Sequence, residues 1–222
     1  MGTHRLPGEI ERSSMQIIRE EVARRGVVLP EENAPVILRV IHATADFEYL
    51  DTLTFSPDAV RMAVEGLRQG TPIVTDTNMA RAGVSRPALE RLGGAAHCFM
   101  AEPEIAAAAK EAGTTRAVAA MRHAAKTLPG AVLAVGNAPT ALFQIADEIE
   151  AGLRPALVVA VPVGFVNVVE SKERVVSVCR AHGVPVIAAM GRKGGSSVAA
   201  AILNALIYLA SDMLDPKARG WS

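Results

Sequence analysis

Short apolar runs alternate with segments of helical composition from Thr71 to the end of the chain. The apolar runs are Pro72–Thr75, Ala95–Phe99, Ala131–Val135, Ala156–Ala160 and Pro185–Ala189. The helical segments are Ser85–Leu92, Glu102–Thr127 with a break near Gly113, Pro139–Ala151, Val168–His182 and Ser196–Ser211. This alternation is typical of βαβ units, in which helices cover both faces of a parallel sheet. We therefore predict an α/β fold with a doubly wound, mostly parallel sheet flanked by helices, in a single domain over residues 1–222.

The first seventy residues follow a less regular pattern. The predicted elements are, in order, an irregular lead-in over Met1–Arg12, a helix from Ser13 or Ser14 to about Arg25, a short helix that carries His42, an edge strand over Leu50–Phe55 and a helix that begins at Ser56-Pro57-Asp58 and ends at Gly70. Serine, proline and aspartate are typical of helix starts, and glycine is typical of helix ends.

The charge balance and the cysteine content argue against several classes of protein. Lys plus Arg and Asp plus Glu each number 23, so the formal net charge is zero and we expect no nucleic-acid partner. The longest apolar runs, such as Ala156–Val163, are too short to span a membrane, and the charged first twenty residues do not resemble a signal peptide. The two cysteines, Cys98 and Cys179, fit a reducing compartment. We therefore expect a cytoplasmic protein without a membrane segment.

Glycine and small polar residues are concentrated where the predicted strands end. Ligands of open parallel sheets bind beyond the carboxyl ends of the strands, and the N–H groups at helix N-termini attract anions there. Lys172, Arg192 and Lys193 add positive charge. The pattern predicts a ligand with several carboxylates or phosphates, although ordinary turns and helix caps use the same residue types. The loops concerned are 76–79, 136–140, 162–167 and 191–197.

Several familiar site motifs do not fit this sequence. In Gly191–Ser197 the lysine precedes the paired glycines, so the stretch is not a nucleotide-binding phosphate loop, although an anion-binding turn before the last helix is still expected. A dinucleotide fingerprint and a Gly-x-Ser-x-Gly nucleophile motif are both missing. We therefore expect no metal and no resident cofactor, because the histidines also lack paired metal-ligand spacing: His4, His42, His97, His123 and His182.

One histidine stands out by its placement in the stretch Arg39–Tyr49. Pro35 suits a first helical position, and the apolar residues that follow repeat at helical spacing. Arg39 and His42 are three residues apart, so they project from the same side of a helix. An imidazole titrates near neutral pH and can donate or accept a proton there. The stretch is thus a candidate for proton transfer, with a packed histidine near a helix end as the alternative.

Four stretches together resemble the precorrin-8X methylmutase family, which includes the cobalt-precorrin-8 methylmutases. They are RVIHATADFEY from Arg39, GNAPTALF from Gly136, VPVGFVNVVESKE from Val161 and GRKGGS from Gly191. Their order and spacing match the family over about Ser14–Leu206. The forms of these stretches look more like the anaerobic, cobalt-using branch of the family than the aerobic branch.

The resemblance implies an isomerase with an α/β fold that works as a homodimer with shared active sites. Its substrate would be a tetrapyrrole of cobalamin biosynthesis, on which a methyl group moves from C-11 to C-12 of ring C to give hydrogenobyrinic acid or cobyrinic acid. The reaction needs no S-adenosylmethionine, because the methyl group is already on the substrate. A corrinoid-binding or hand-over protein without catalysis is the alternative, and the missing glycine fingerprints argue against a generic nucleotide-binding module.

The resemblance also assigns residues. His42 matches the histidine thought to protonate the ring C nitrogen. Phe165 and Met79 are candidates for contact with the apolar face of the macrocycle, with burial in the protein core as the alternative. In the first helix Ser13 could replace Ser14 as the contact. The expected substrate-binding residues are Ser14, Arg39, Ser85, Arg116 with its neighbour Thr115, Asn137, Thr140, Lys172, Lys193, Gly194 and Ser196.

Overall fold

Six strands form one sheet in the computed structural model, which describes residues 6–221. Their order across the sheet is β1-β6-β5-β4-β2-β3. Strands β2 to β6 run parallel, and the edge strand β1 is antiparallel to β6, with Leu53 opposite Ala189. This arrangement confirms the predicted doubly wound, mostly parallel sheet. The strands are β1 Leu53–Phe55, β2 Ile73–Thr75, β3 Ala96–His97, β4 Val132–Val135, β5 Leu157–Ala160 and β6 Val186–Ala189.

Helices connect the strands and cover both faces of the sheet. The predicted break near Gly113 is confirmed, because two helices flank that residue. None of the described helices is long and apolar enough to cross a bilayer. The helices are α1 Pro7–Arg24, α2 Ala34–Thr44, α3 Tyr49–Thr52, α4 Ala59–Arg68, α5 Asn78–Gly83, α6 Arg86–Arg91, α7 Pro103–Glu111, α8 Arg116–Thr127, α9 Pro139–Glu150, α10 Val168–Ala181 and α11 Ser196–Ala210, followed by a 3₁₀ helix over Pro216–Arg219.

The first helix begins earlier than the sequence pattern predicted. Helix α1 starts at Pro7, so the predicted irregular lead-in is wrong for residues 7–12, and its part over residues 1–5 lies outside the described residues. Proline suits the first turn because its fixed φ is helical and its missing N–H would be unpaired there anyway. Ser13 and Ser14 therefore lie inside α1 and do not cap it.

Alternate residues of the central strands point to opposite faces of the sheet, as the strand period of two requires. Val132 and Ala134 pack into a core with α1, α2, α4 and α11. Leu133 and Val135 pack into a second core with α8, α9 and α10. Because both faces are buried, the strands read as uninterrupted apolar runs, and this is why the sequence pattern located them.

The strand order reverses between β2 and β4, which are neighbours in the sheet. The chain leaves β2 outward to β3 and then returns to β4, β5 and β6 on the other side. Ligands of doubly wound sheets bind at such a switch point, beyond the carboxyl ends of the strands. The loops that begin at Asp76, Gly136, Val161 and Met190 therefore frame the expected site.

Candidate active site

Asp76 ties together the two loops at the switch point. Its carboxylate accepts the backbone N–H groups of Gly136, Asn137 and Ala138, each over 2.8 Å. Burial raises the pKa of Asp76, and the three N–H groups act in the opposite direction. Asp76 begins the predicted site loop 76–79, but its role as an acceptor for the neighbouring loop is not evident from the sequence. Asp76 fixes the shape of the loop that carries Asn137, whose own side chain is exposed.

Two glycines let neighbouring loops touch. A Cβ on Gly136 would lie 2.8 Å from the Cα of Ser196, and a Cβ on Gly194 would clash with the carbonyl oxygen of Val161. The Gly195 N–H donates to that same carbonyl over 2.8 Å. The glycines of the two motifs are therefore needed for the close approach of backbone to backbone, whether or not Gly194 also contacts a ligand.

The hydroxyl of Ser196 is hydrogen-bonded within the protein. Its Oγ lies 2.7 Å from Oγ1 of Thr77, the residue that caps α5 by accepting the Ala80 N–H. Ser196 is also the first residue of α11, so it stands at a helix N-terminus beside the switch point. This geometry leaves Ser196 half-buried at the edge of the crevice.

Lys172 does not present a free charge to the crevice, contrary to the expectation from sequence. Its side chain is fully buried, and its Nζ donates to the carbonyl oxygens of Gly191 and Lys193, each over 2.8 Å. Burial lowers the pKa of Lys172 to about 8. Lys172 therefore holds the backbone of the glycine-rich loop 191–197 in place from the protein interior. The sequence could not show this, because it does not reveal which long side chains run inward.

Lys193 connects the glycine-rich loop to the segment that follows α2. Its Nζ lies 2.6 Å from Oδ2 of Asp46 and 2.6 Å from Oε2 of Glu48. The hydrogen bonds that Lys193 donates to these carboxylates raise its pKa, and the bond to Asp46 lowers the pKa of Asp46. The predicted substrate-binding lysine is thus partly exposed and charged, and two carboxylates in the segment after the His42 helix already balance its charge.

His42 lies exposed on the last turn of α2, so the alternative of a packed core histidine is not supported. The partial burial of its ring and the charge of Arg39 lower its pKa; Glu11 raises the pKa, and Arg219 lowers it. Arg39 and His42 both lie within α2, where positions i and i+3 share one side of the helix. The ring is accessible to a ligand and is biased toward its neutral form in the free protein.

Arg39 is held by an ion pair and borders a cavity. Its Nη2 lies 2.8 Å from Oε1 of Glu11, and its guanidinium lies 5.4 Å from the centroid of the Tyr208 ring. The cavity, of about 670 Å³, lies between α1, α2 and the C-terminal segment. Ser14 follows Glu11 by one helical turn on α1 and is half-buried. The lining of the cavity includes Met15, Gln16, Arg19, Pro35, Leu38 and Arg39.

The N-termini of α8 and α9 lie side by side. The Oγ1 atoms of Thr115 and Thr140 are 3.1 Å apart, and Thr115 caps α8 by accepting the Val118 N–H over 3.2 Å. Arg116 is exposed at the first position of α8. The structure therefore brings the predicted contacts Arg116, Thr140 and Asn137 together at two helix N-termini, a setting that favours anions.

Ser85 lies just before α6 and is joined to α11. Its backbone N–H donates to Oδ1 of Asn204 over 2.7 Å, and Nδ2 of Asn204 donates to the carbonyl oxygen of Gly83 over 2.8 Å. Asn204 was not identified from the sequence, because an asparagine in the middle of an apolar helix carries no local signal of its partner. The side chain of Ser85 is half-buried, and its contact with the substrate stays a prediction.

Large apolar side chains are exposed at the same edge of the sheet. Met79 is 73% exposed, Phe165 is 82% exposed and Val166 is 77% exposed. The alternative that Met79 and Phe165 belong to the core is therefore wrong. The Arg192 guanidinium lies 5.7 Å from the Phe165 ring centroid. A surface with several exposed large apolar side chains indicates contact with a ligand or another protein chain.

Among residues 6–221, no three His, Cys, Asp or Glu side chains are grouped as metal ligands would be. The crevice instead combines helix N-termini, cations, glycine loops and exposed apolar side chains. Lys193 of its glycine-rich loop pairs with Asp46 and Glu48, which follow the helix that carries the accessible imidazole of His42. That combination suits a large, flat, polyanionic ligand.

Comparison with known proteins identifies the family. The family model described as precorrin-8X methylmutase matches residues 9–209. The chain belongs to the precorrin-8X methylmutase family. A cobalt-precorrin-8 methylmutase from Salmonella typhimurium is 43% identical over 207 residues, which cover 91% of this chain and 95% of the relative. A precorrin-8X methylmutase from Pseudomonas aeruginosa is 40% identical over 201 residues, covering 89% and 93%.

A solved structure supports the same assignment at the level of the fold. The precorrin-8X methylmutase from Thermus thermophilus superimposes with a TM-score of 0.82 at 39% identity, covering 91% of this chain and 98% of that chain. The predicted family and fold class are thereby confirmed. Methylmutases are isomerases, so the chain is an isomerase of a cobalamin-biosynthesis family.

Proposed function

We propose that the protein moves a methyl group from C-11 to C-12 of ring C of precorrin-8X or its cobalt form. The C-11–methyl bond breaks as the C-12–methyl bond forms within one molecule, so no second substrate is consumed. The products are hydrogenobyrinic acid from the metal-free substrate and cobyrinic acid from the cobalt form. The names of relatives in the family, such as the cobalt-precorrin-8 methylmutase of Salmonella typhimurium, support this assignment.

The observation that carries the proposal is the placement of His42. The imidazole is exposed on α2, three residues after Arg39 and four residues before Asp46, the partner of Lys193. In the proposed reaction His42 donates a proton to the ring C nitrogen, the methyl group shifts, and the nitrogen returns the proton to His42. A lowered pKa makes the imidazolium a stronger acid, although less of it is present at neutral pH.

The carboxylate arms of the macrocycle account for the rest of the site. Arg39, Arg116 and Lys193 supply charge-assisted hydrogen bonds, and the N-termini of α8, α9 and α11 supply backbone N–H groups. Ser14, Ser85, Asn137, Thr140, Gly194 and Ser196 complete the proposed contacts. Lys172 contributes indirectly by holding the loop that carries Lys193 and Gly194.

We further propose that the protein is a cytoplasmic homodimer whose active sites are shared between subunits. The exposed side chains of Met79, Phe165 and Val166 support this proposal. Exposed apolar side chains that are grouped together are typical of contact surfaces, here with the macrocycle face or with a second copy of the chain. The proposed reaction needs no metal or organic cofactor bound to the protein, because cobalt, when present, is already part of the substrate.

The test is to mix the purified protein with metal-free precorrin-8X and to follow the visible spectrum. Appearance of the hydrogenobyrinic acid spectrum is the expected result. A bound but unchanged spectrum with both precorrin-8X and cobalt-precorrin-8 would contradict catalysis and favour a hand-over protein. Conversion of the cobalt form alone would assign the protein to the anaerobic route.

A further inference from the structure

A second arginine reaches the carboxylate that holds Arg39. Nη2 of Arg219, on the C-terminal 3₁₀ helix, lies 2.6 Å from Oε1 of Glu11, and Nη2 of Arg39 lies 2.8 Å from the same oxygen. The side chains of Glu11 and Arg219 are only 7% and 6% exposed. One buried carboxylate oxygen therefore stands between two guanidinium groups that come from different parts of the chain.

An aromatic ring fixes the two guanidinium groups. The Arg219 guanidinium lies 4.5 Å from the centroid of the Tyr208 ring, and that of Arg39 lies 5.4 Å from it. Arg219 also lies 5.1 Å from the Trp221 ring. Helices α1, α2 and α11 and the C-terminal segment thus meet at this cluster of Glu11, Arg39, Tyr208 and Arg219, which we call the arginine cluster.

The charges of the arginine cluster do not cancel. Two arginines and one glutamate leave a net charge of about +1 in a largely buried place, which is unfavourable for stability. Nε and Nη1 of Arg219 are buried without a hydrogen-bond acceptor among residues 6–221. A buried cluster with such a cost, next to an accessible imidazole, is a candidate for a role in the site beyond holding the fold together.

The cluster dominates the charged surroundings of His42. Helix α11, which packs against α2, carries no charged residue. The charges that shift the pKa of His42 are those of Arg39, Glu11 and Arg219. The elements around α2 carry other titratable groups, which do not shift the pKa of His42. They are Glu9, Arg12, Arg19, Glu20, Glu21, Arg24 and Arg25 on or at the end of α1, Tyr49 and Asp51 on α3, Tyr208 on α11, Lys217 on the 3₁₀ helix and, in the loop after α2, Asp46 and Glu48, both paired with Lys193.

We propose that Glu11 and Arg219 are positioning residues, which hold Arg39 beside His42 and set the net charge that the imidazole meets. The proposal rests on the proposed role of His42 and deepens it, because it makes the C-terminal segment part of the active site. The negative charge of Glu11 balances one of the two guanidinium charges, and the second guanidinium leaves the cluster with a net positive charge. Removing one or the other should therefore affect proton binding by His42 in opposite directions.

The test is an NMR titration of His42 in the free, full-length protein, with the resonance assigned by its loss in His42→Asn. Compared with the wild type, Glu11→Gln is expected to move the His42 titration to lower pH, and Arg219→Gln is expected to move it to higher pH. Glu21→Gln is the matched control on α1, because Glu21 pairs with Arg24 and Arg25 away from the cluster. In Glu21→Gln the pKa of His42 should equal that of the wild type.

Opposite shifts separate a charge effect from a loss of packing, which would move both variants in one direction. An unchanged titration, or shifts of one sign in both variants, would overturn the proposal. If Glu11→Gln does not fold, the Arg219→Gln titration decides alone: no shift to higher pH refutes the role. The titration uses no substrate, so its failure is distinct from a failure of the wild type to convert precorrin-8X.

Discussion

Asp76 at the end of β2 holds Gly136 at the end of β4: its Oδ1 accepts the Gly136 backbone N–H over 2.8 Å. The bond crosses the point where the strand order reverses, and Oδ2 of the same carboxylate accepts the next two N–H groups. The loop that carries Asn137 therefore takes its shape from a buried side chain of the neighbouring strand.

Replacing Asp76 by asparagine should lower the free energy of unfolding by about 1–3 kcal/mol, because the amide leaves buried N–H groups facing an NH₂ group. Urea unfolding measures the change. Asp51→Asn, at an exposed site, is the control and should stay within about 0.5 kcal/mol of the wild type. Equal stability of the two variants would contradict the role given to Asp76.

Gly136→Ala should separate the loops after β4 and β6. Its Cβ would meet the Ser196 backbone at 2.8–2.9 Å, so we expect a loss of about 1–3 kcal/mol in the free energy of unfolding and weaker tetrapyrrole binding. Gly130→Ala places its Cβ in open space and is the matched control. If both alanine variants unfold at the same urea concentration, the close packing of the two loops is not important.

Lys172→Met should change how stability depends on pH. The pKa of Lys172 is about 8 in the folded protein against 10.5 as the ordinary value, so between these pH values the unfolded chain binds more protons and the wild type becomes more stable as pH rises. From pH 7.5 to 9.5 this contribution is about 1–2 kcal/mol. The stability difference between wild type and Lys172→Met should grow by that amount. A difference that is constant with pH would contradict the lowered pKa of Lys172.

The sheet was predictable because its strands are buried on both faces and bounded by glycine, proline or helix starts. Val132–Val135 and Leu157–Ala160 could be read almost to the residue for this reason. The start of α1 carries no clear sequence signal, because Pro7 and Gly8 are also typical of irregular chain. The short helix Asn78–Gly83 begins inside the predicted loop 76–79, and its six residues are too few to show a helical period.

The sequence could predict which residues belong to the candidate site, but not which contacts join residues from distant segments. Arg39 and His42 sit together because i and i+3 positions share a side of a helix. The inward path of Lys172 and the meeting of Glu11 with Arg219 depend on how distant segments pack, which the spacing of residues does not encode. The resemblance to the family supplied residue identities, and the structure supplied which of those side chains already have partners.

The most direct measurement is the single-turnover conversion of precorrin-8X by His42→Asn, followed by visible absorbance. The exposed position of His42 leaves the fold intact, and loss of its proton transfer should slow conversion by about 10²–10⁴-fold while the tetrapyrrole still binds. His182→Asn, remote from α2 in a contact with Arg154, is the control and should match the wild type. Conversion by His42→Asn at the wild-type rate would contradict the account of His42 as the proton donor.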